Sequence, residues 1–85
     1  HQLEDGRSVP HAAVRNAYGH LENQATYEGL LRLRPDERPF VLTRSAFAGT
    51  QRWAAQWTGD VCSTWSALRQ SLPMMLGLGL SGQGF

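Results

Sequence analysis

Two polar residues sit where chemistry could be done: Arg44, at the end of the run Pro39-Phe-Val-Leu-Thr-Arg44, and Asp60, at the end of Trp57-Thr-Gly-Asp60. A carboxyl group can give or take a proton in a transition state when it is held within hydrogen-bond reach of the reacting atom. A guanidinium offers a rigid fork of donors, which orients a ligand as well as binding it. Taken singly, an aspartate after glycine reads more readily as a turn or helix-cap residue. A lone arginine reads as a surface ion-pair partner. On residue type alone Trp53, Trp57 and Trp65 read as core, with Trp53 the least settled, and Met74 and Met75 read as core as well. His1, His11 and His20 lack metal-ligand spacing and read as solvent-exposed. Cys62 stands alone, which removes an internal disulfide framework and a zinc site built on paired cysteines; it reads as an inert small side chain near a helix start.

Composition narrows the field without naming a function. The chain has 85 residues, eight basic residues that are all arginine, seven acidic ones, and a formal charge of +1. Binding to nucleic acid needs a concentrated basic face, whereas the arginines at 7, 15, 32, 34, 38, 44, 52 and 69 are spread among acids. A nucleic-acid partner is therefore not expected. A membrane partner is not expected either, because no apolar run approaches the roughly 20 residues of a spanning helix. The residues leave the compartment open.

The elements that must position Arg44 and Asp60 follow from periodicity and breakers. Residues 1–10 are polar, with Gly6 and Pro10, and read as a tail or loop. From residue 11 to about 34 apolar residues recur at near-helical spacing, giving one long helix or two. Gly19 and Gly29 each weaken that helix by about 1 kcal/mol relative to Ala. Pro35 and Pro39 disfavour helix in the residues before them and make 34–38 a turn. Residues 39–43 form a continuous apolar run suited to a strand buried on both faces. A second short strand is expected over 52–57. A new helix starts near Ser63 as its cap and presents Trp65, Leu68 and Leu72 along one side, with Pro73 kinking it or opening a second piece. Helix, strand, loop, strand, helix is the rhythm of an α/β protein with parallel strands. Arg44 and Asp60 both fall directly after predicted strands, the edge where chemistry sits in barrels of alternating strands and helices.

Arg38-Pro-Phe-Val-Leu-Thr-Arg-Ser-Ala-Phe-Ala-Gly49, followed by Arg52-Trp-Ala-Ala-Gln-Trp-Thr-Gly-Asp60, strongly resembles glycoside hydrolase family 31. Asn16-Ala-Tyr-Gly19 and Ala25-Thr-Tyr-Glu-Gly-Leu30 resemble the family's helix after its fourth barrel strand. Ser63-Thr-Trp65 and Leu72-Pro-Met-Met-Leu-Gly-Leu-Gly-Leu-Ser-Gly82 resemble its helix after the sixth. The resemblance implies an α/β fold, a partial (β/α)8 TIM-barrel segment of about strands 5 to 7 with flanking helices, occupying residues 11–85. It implies retaining hydrolysis of α-glucosidic bonds, of the α-glucosidase or α-xylosidase kind, with an α-linked oligosaccharide or glucoside as substrate and no cofactor or metal. Carried over by position, Asp60 is the general acid/base, Arg44 a substrate-hydroxyl ligand and Trp57 an aromatic wall of the sugar site. Such an acid must hold its proton near neutral pH, which burial against apolar groups and a nearby anion both favour; Trp57 and Trp53 could supply part of that surround.

The family's nucleophile, an aspartate in a Trp-Asn-Asp-Met-type motif, falls before His1 in this frame, and its sugar-binding histidine strand falls after Phe85. Residues 82–85 look like the start of the seventh strand, with Gly84 where proline is common. Arg15 stands where the family often has histidine, and His11 and His20 match no family ligand. The expectation is that these 85 residues alone are inactive. Two alternatives are a non-catalytic segment that binds sugar weakly, and a structural piece that completes a barrel with another chain or self-associates through open barrel edges.

Overall fold

A computed structural model describes residues 1–83. The first ten residues form a small closed loop rather than a free tail. An isolated antiparallel bridge joins Gln2 to Ser8, and Gly6, at φ +83°, makes the turn between them. A single helix, α1 (His11–Leu33), follows. Pro10 precedes it in an extended conformation, and its carbonyl accepts from the Ala13 N–H at 3.1 Å. The helix stops where Pro35 forces Arg34 out of the helical region, to φ −138° and ψ 79°. A turn closed by Glu37 N–H to Arg34 O at 3.1 Å leads out of it.

Two short parallel strands come next, β1 (Leu42–Thr43) and β2 (Ala55–Gln56), with Leu42 opposite Ala55 and Thr43 opposite Gln56. They pair as the α/β rhythm predicts, but both are shorter than the expected 39–43 and 52–57. The second shrinks because Thr50–Arg52 winds into a 3-10 turn, entered through Gly49 at φ +100°. That positive φ is open to glycine and strained for most other residues.

The final helix, α2 (Trp65–Leu80), is capped by Thr64, not Ser63: the Thr64 Oγ1 accepts from the Ala67 N–H at 3.1 Å. It runs as one element through Pro73. The carbonyl that Pro73 cannot serve belongs to Arg69, an exposed residue where water can take the place of the missing N–H. At its C-terminus Gly82 adopts φ +80°, with Gly82 N–H to Gly79 O at 3.0 Å and Gln83 N–H to Leu78 O at 2.9 Å. These two bonds make a Schellman cap, which consumes otherwise orphaned carbonyls.

No apolar residue among those described is buried. The buried residues are polar: Thr50 at 0% exposure, Asn23 at 6% and Gln83 at 8%. The apolar run around β1, expected to be covered on both faces, instead leaves Phe40 and Leu42 exposed. Trp65, expected in a core, is 86% exposed, and Met74 and Met75 also lie open. The physical reason is common to all of them: α2 and the outer faces of the strands meet no second layer within residues 1–83, so their apolar stripes have nothing to pack against. The purified 85-residue chain is accordingly expected to bind a hydrophobic dye such as ANS and to melt without a sharp transition. A cooperative melt with no dye binding would contradict this reading.

Candidate active site

The polar interior is what holds the loop that carries Arg44. Thr50 is fully enclosed, and its Oγ1 accepts from the Phe47 N–H at 3.0 Å and lies 2.8 Å from His20 Nδ1. A buried hydroxyl hydrogen needs an acceptor, and the one in reach among the described residues is His20 Nδ1. The balance of donors therefore places the ring proton on Nε2. His20 is thus half-buried and engaged, not the solvent-exposed side chain expected. His1 and His11 are exposed and lie 2.7 Å apart through Nε2 and Nδ1.

Further contacts fix the same loop from both ends of the chain. Asn23 on α1 donates through Nδ2 to Ser45 O at 3.0 Å. Gly19, one helical turn earlier, faces Ser45 so closely that a Cβ built on it would lie 2.6 Å from the Ser45 Cβ. The glycine that weakens the helix is what lets the helix approach the loop. From the other side, Gln83 Nε2 donates to Phe47 O at 3.0 Å and to Gln51 Oε1 at 3.1 Å.

Arg44 is the first residue beyond β1, and Trp57 the first beyond β2, so the parallel register sets them side by side at one edge of the pair. The Arg44 carbonyl accepts from Gln56 Nε2 at 3.2 Å. Its side-chain stem lies on Gly59, where a built Cβ would fall 2.5 Å from Arg44 Cδ and 3.4 Å from Nη1. Asp60 is the next residue. Arg44 and Asp60 are therefore brought to one place, yet no ion pair within 4 Å joins them; among the described residues the ion pairs are Arg7–Asp5 and Arg34–Glu37. Both side chains are exposed, and Trp57 is 39% exposed. The apolar surround expected for the Asp60 carboxyl is thus not formed by these residues. Trp53 is occupied elsewhere: it meets Tyr27 of α1 edge to face at 5.7 Å, and the Arg52 guanidinium lies 5.4 Å from its ring centre.

An open groove of about 600 Å³ separates α1 from this loop, lined by Arg15, Asn16, Tyr18, His20, Arg44 and Gln56 among others. Gln56, His20, Asn23, Thr50 and Gln83 were not legible as site-supporting residues in the sequence. Apart from the Phe47 N–H on Thr50, their partners lie 12 to 36 positions away, so local spacing does not signal them. No group of three or more histidine, cysteine, aspartate or glutamate side chains able to hold a metal ion occurs among the described residues. Among the described residues no helix is long and apolar enough to cross a membrane. Cys62 is free and exposed.

Comparison with known proteins gives a consistent picture. A family model described as the glycosyl hydrolases family 31 TIM-barrel domain matches residues 1–85. Alpha-glucosidase 2 of Bacillus thermoamyloliquefaciens is 49% identical over 81 residues, which is 95% of this chain and 10% of that protein. A probable glucan 1,3-alpha-glucosidase of Oryza sativa subsp. japonica is 50% identical over 78 residues, 91% of this chain and 8% of the relative. Neutral alpha-glucosidase C of Homo sapiens is 50% identical over 76 residues, 88% and 8% respectively. The chain thus spans about a tenth of the length of the curated relatives it matches.

Two glycines give a direct check on the site geometry. Gly59 combines φ +87° with the Arg44 stem in van der Waals contact, so Gly59→Ala is expected to cost more than about 1 kcal/mol. Gly29 is helical with nothing within 4 Å of a built Cβ, so Gly29→Ala is expected to stabilise by about 0.5–1 kcal/mol. In the complete barrel that carries this segment, thermal denaturation of the two variants side by side should move the midpoint in opposite directions; a shift of the same sign would show that the Arg44–Gly59 contact is dispensable.

Proposed function

The chain belongs to glycosyl hydrolase family 31, and from that membership we propose that it carries the acid/base half of a retaining α-glucosidase site, with Asp60 as proton donor. In this reading β1 and β2 are the fifth and sixth strands of the (β/α)8 barrel, and residues 11–85 belong to its catalytic domain. Of residues 82–85, expected to begin the seventh strand, Gly82 and Gln83 instead close the cap of α2, and 84 and 85 lie outside the described residues. The substrate is an α-linked glucoside or oligosaccharide.

The observation that carries the proposal is the Arg44–Gly59 contact across a parallel strand pair. It puts the Arg44 side chain beside the backbone that presents Asp60, at the strand edge where barrel enzymes place their chemistry, and so supports reading Arg44 as the sugar ligand. In the first step Asp60 protonates the glycosidic oxygen as its bond to the anomeric carbon breaks, while a second carboxylate about 5–5.5 Å from it attacks that carbon. In the second step the Asp60 carboxylate takes a proton from a water whose oxygen attacks the anomeric carbon, breaking that carbon's ester bond to the second carboxylate and releasing the sugar. Arg44 donates to sugar hydroxyls, and Trp57 offers an apolar face to the ring. No residue of this chain is assigned as the nucleophile, so residues 1–85 alone are inactive and the attacking carboxylate comes from a further part of the barrel. The exposed Trp65 and Leu80 also favour a structural reading, in which α2 packs against barrel elements outside these residues or against another copy when they are missing.

The test uses the complete barrel that carries this segment. Asp60→Ala is expected to lower turnover of an unactivated α-glucoside by roughly 10²–10⁴-fold, with a much smaller loss on an aryl α-glucoside whose leaving group needs no proton. On the aryl α-glucoside, where the first step needs no proton donor, azide attacks the covalent intermediate without a general base and should speed turnover and yield a glucosyl azide. Unchanged turnover in Asp60→Ala, or no response to azide, would remove Asp60 from the acid/base role. The isolated 85-residue chain should not hydrolyse the aryl substrate.

A further inference from the structure

We propose that Gln56 is a positioning residue for Arg44, its side-chain amide tying the backbone of that arginine to the strand that leads to Asp60. The inference rests on the assignment of Arg44 and Asp60 made above. Gln56 sits opposite Thr43 in the parallel pair, and the last backbone bond of the ladder runs from the Trp57 N–H to Thr43 O at 3.2 Å. Beyond that point the backbone offers Arg44 no cross-strand bond. The Gln56 side chain extends the pairing by one step, its Nε2 donating to the Arg44 carbonyl at 3.2 Å.

Arg44 is then held at two points by the same strand and its continuation. Gln56 fixes the backbone, and Gly59 bears on the side-chain stem. The neighbouring Ser45 carbonyl is already taken, by Asn23 Nδ2 and the Thr43 hydroxyl. The other end of the Gln56 amide makes the argument sharper. Its Oε1 is buried and has no partner among the described residues, so an apolar side chain of equal size would fill the place without an orphaned oxygen. Among the described residues the sole polar contact of this side chain is the bond to Arg44. A glutamine at that position is explained by what its Nε2 holds.

A double-mutant cycle in the complete barrel separates this role from a general packing one. Gln56→Leu is expected to lower kcat/KM by about tenfold. In an Arg44→Ala background the same substitution should cost less than about twofold, because the group it positions is gone. Gln56→Glu keeps the size but turns an acceptor toward the Arg44 carbonyl; it should repeat the pattern and serves if the leucine variant fails to fold. Equal losses in both backgrounds, or no loss in the wild type, would overturn the positioning role. If Arg44→Ala itself leaves kcat/KM unchanged, the sugar-ligand assignment falls and this inference with it. If Arg44→Ala is damaging and Gln56→Leu is not, the inference alone falls.

Discussion

Everything near the site depends on keeping one hydroxyl group out of water. Thr50 has no solvent exposure, so both its hydroxyl hydrogen and its oxygen must be satisfied by protein. That requirement recruits the Phe47 N–H from the loop and the His20 ring from α1. Asn23 and Gln83 add bonds to the same loop from the two helices. An unmet donor or acceptor in such a place costs about 1–3 kcal/mol, so the network is closer to all-or-none than a set of surface contacts. The loop between β1 and β2 is thereby a fixed object, and Arg44, at its start, inherits that fixity.

The division of labour between polar and apolar groups is unusual for a folded chain. Hydrogen bonds supply the specific arrangement within the described residues, while the apolar side chains point outward. A sequence with 41% hydrophobic residues ordinarily puts a good part of them inside. Here they line α2 and the strand flanks, as apolar stripes with no second layer over them among the described residues. The local geometry of the site and the burial of its surroundings are thus set by different sets of contacts.

Much of this was legible in the residues. Pro35 ended α1 within a residue of the expected place, and the pair of short apolar runs did become parallel strands. The motif around Arg44 and Asp60 pointed to the family that the whole-chain comparison supports. What periodicity could not reveal falls into two kinds. Burial was misjudged at Trp65, Met74 and Met75, because apolar spacing says which face of a helix seeks cover and not where that cover comes from. The roles of His20, Thr50 and Gln56 were missed because each depends on a partner brought near by the fold. Gly19 looked like a defect in a helix until the approach of Ser45 gave it a purpose.

The bonds made by Gln83 span 32 and 36 positions, the longest reach of any side-chain bond among the described residues. In a chain made from its N-terminus, His20 and Asn23 can engage the loop as soon as residues 45–50 exist, and the Phe47 carbonyl already accepts from the Thr50 N–H, but its second donor, Gln83 Nε2, arrives only once α2 has been completed and capped. Closing so large a loop carries an entropic cost that local contacts do not. The order of synthesis therefore leaves the loop that begins at Arg44 without its Gln83 bonds while the segment bearing Asp60 is being made, and it gains them only when the last helix folds back.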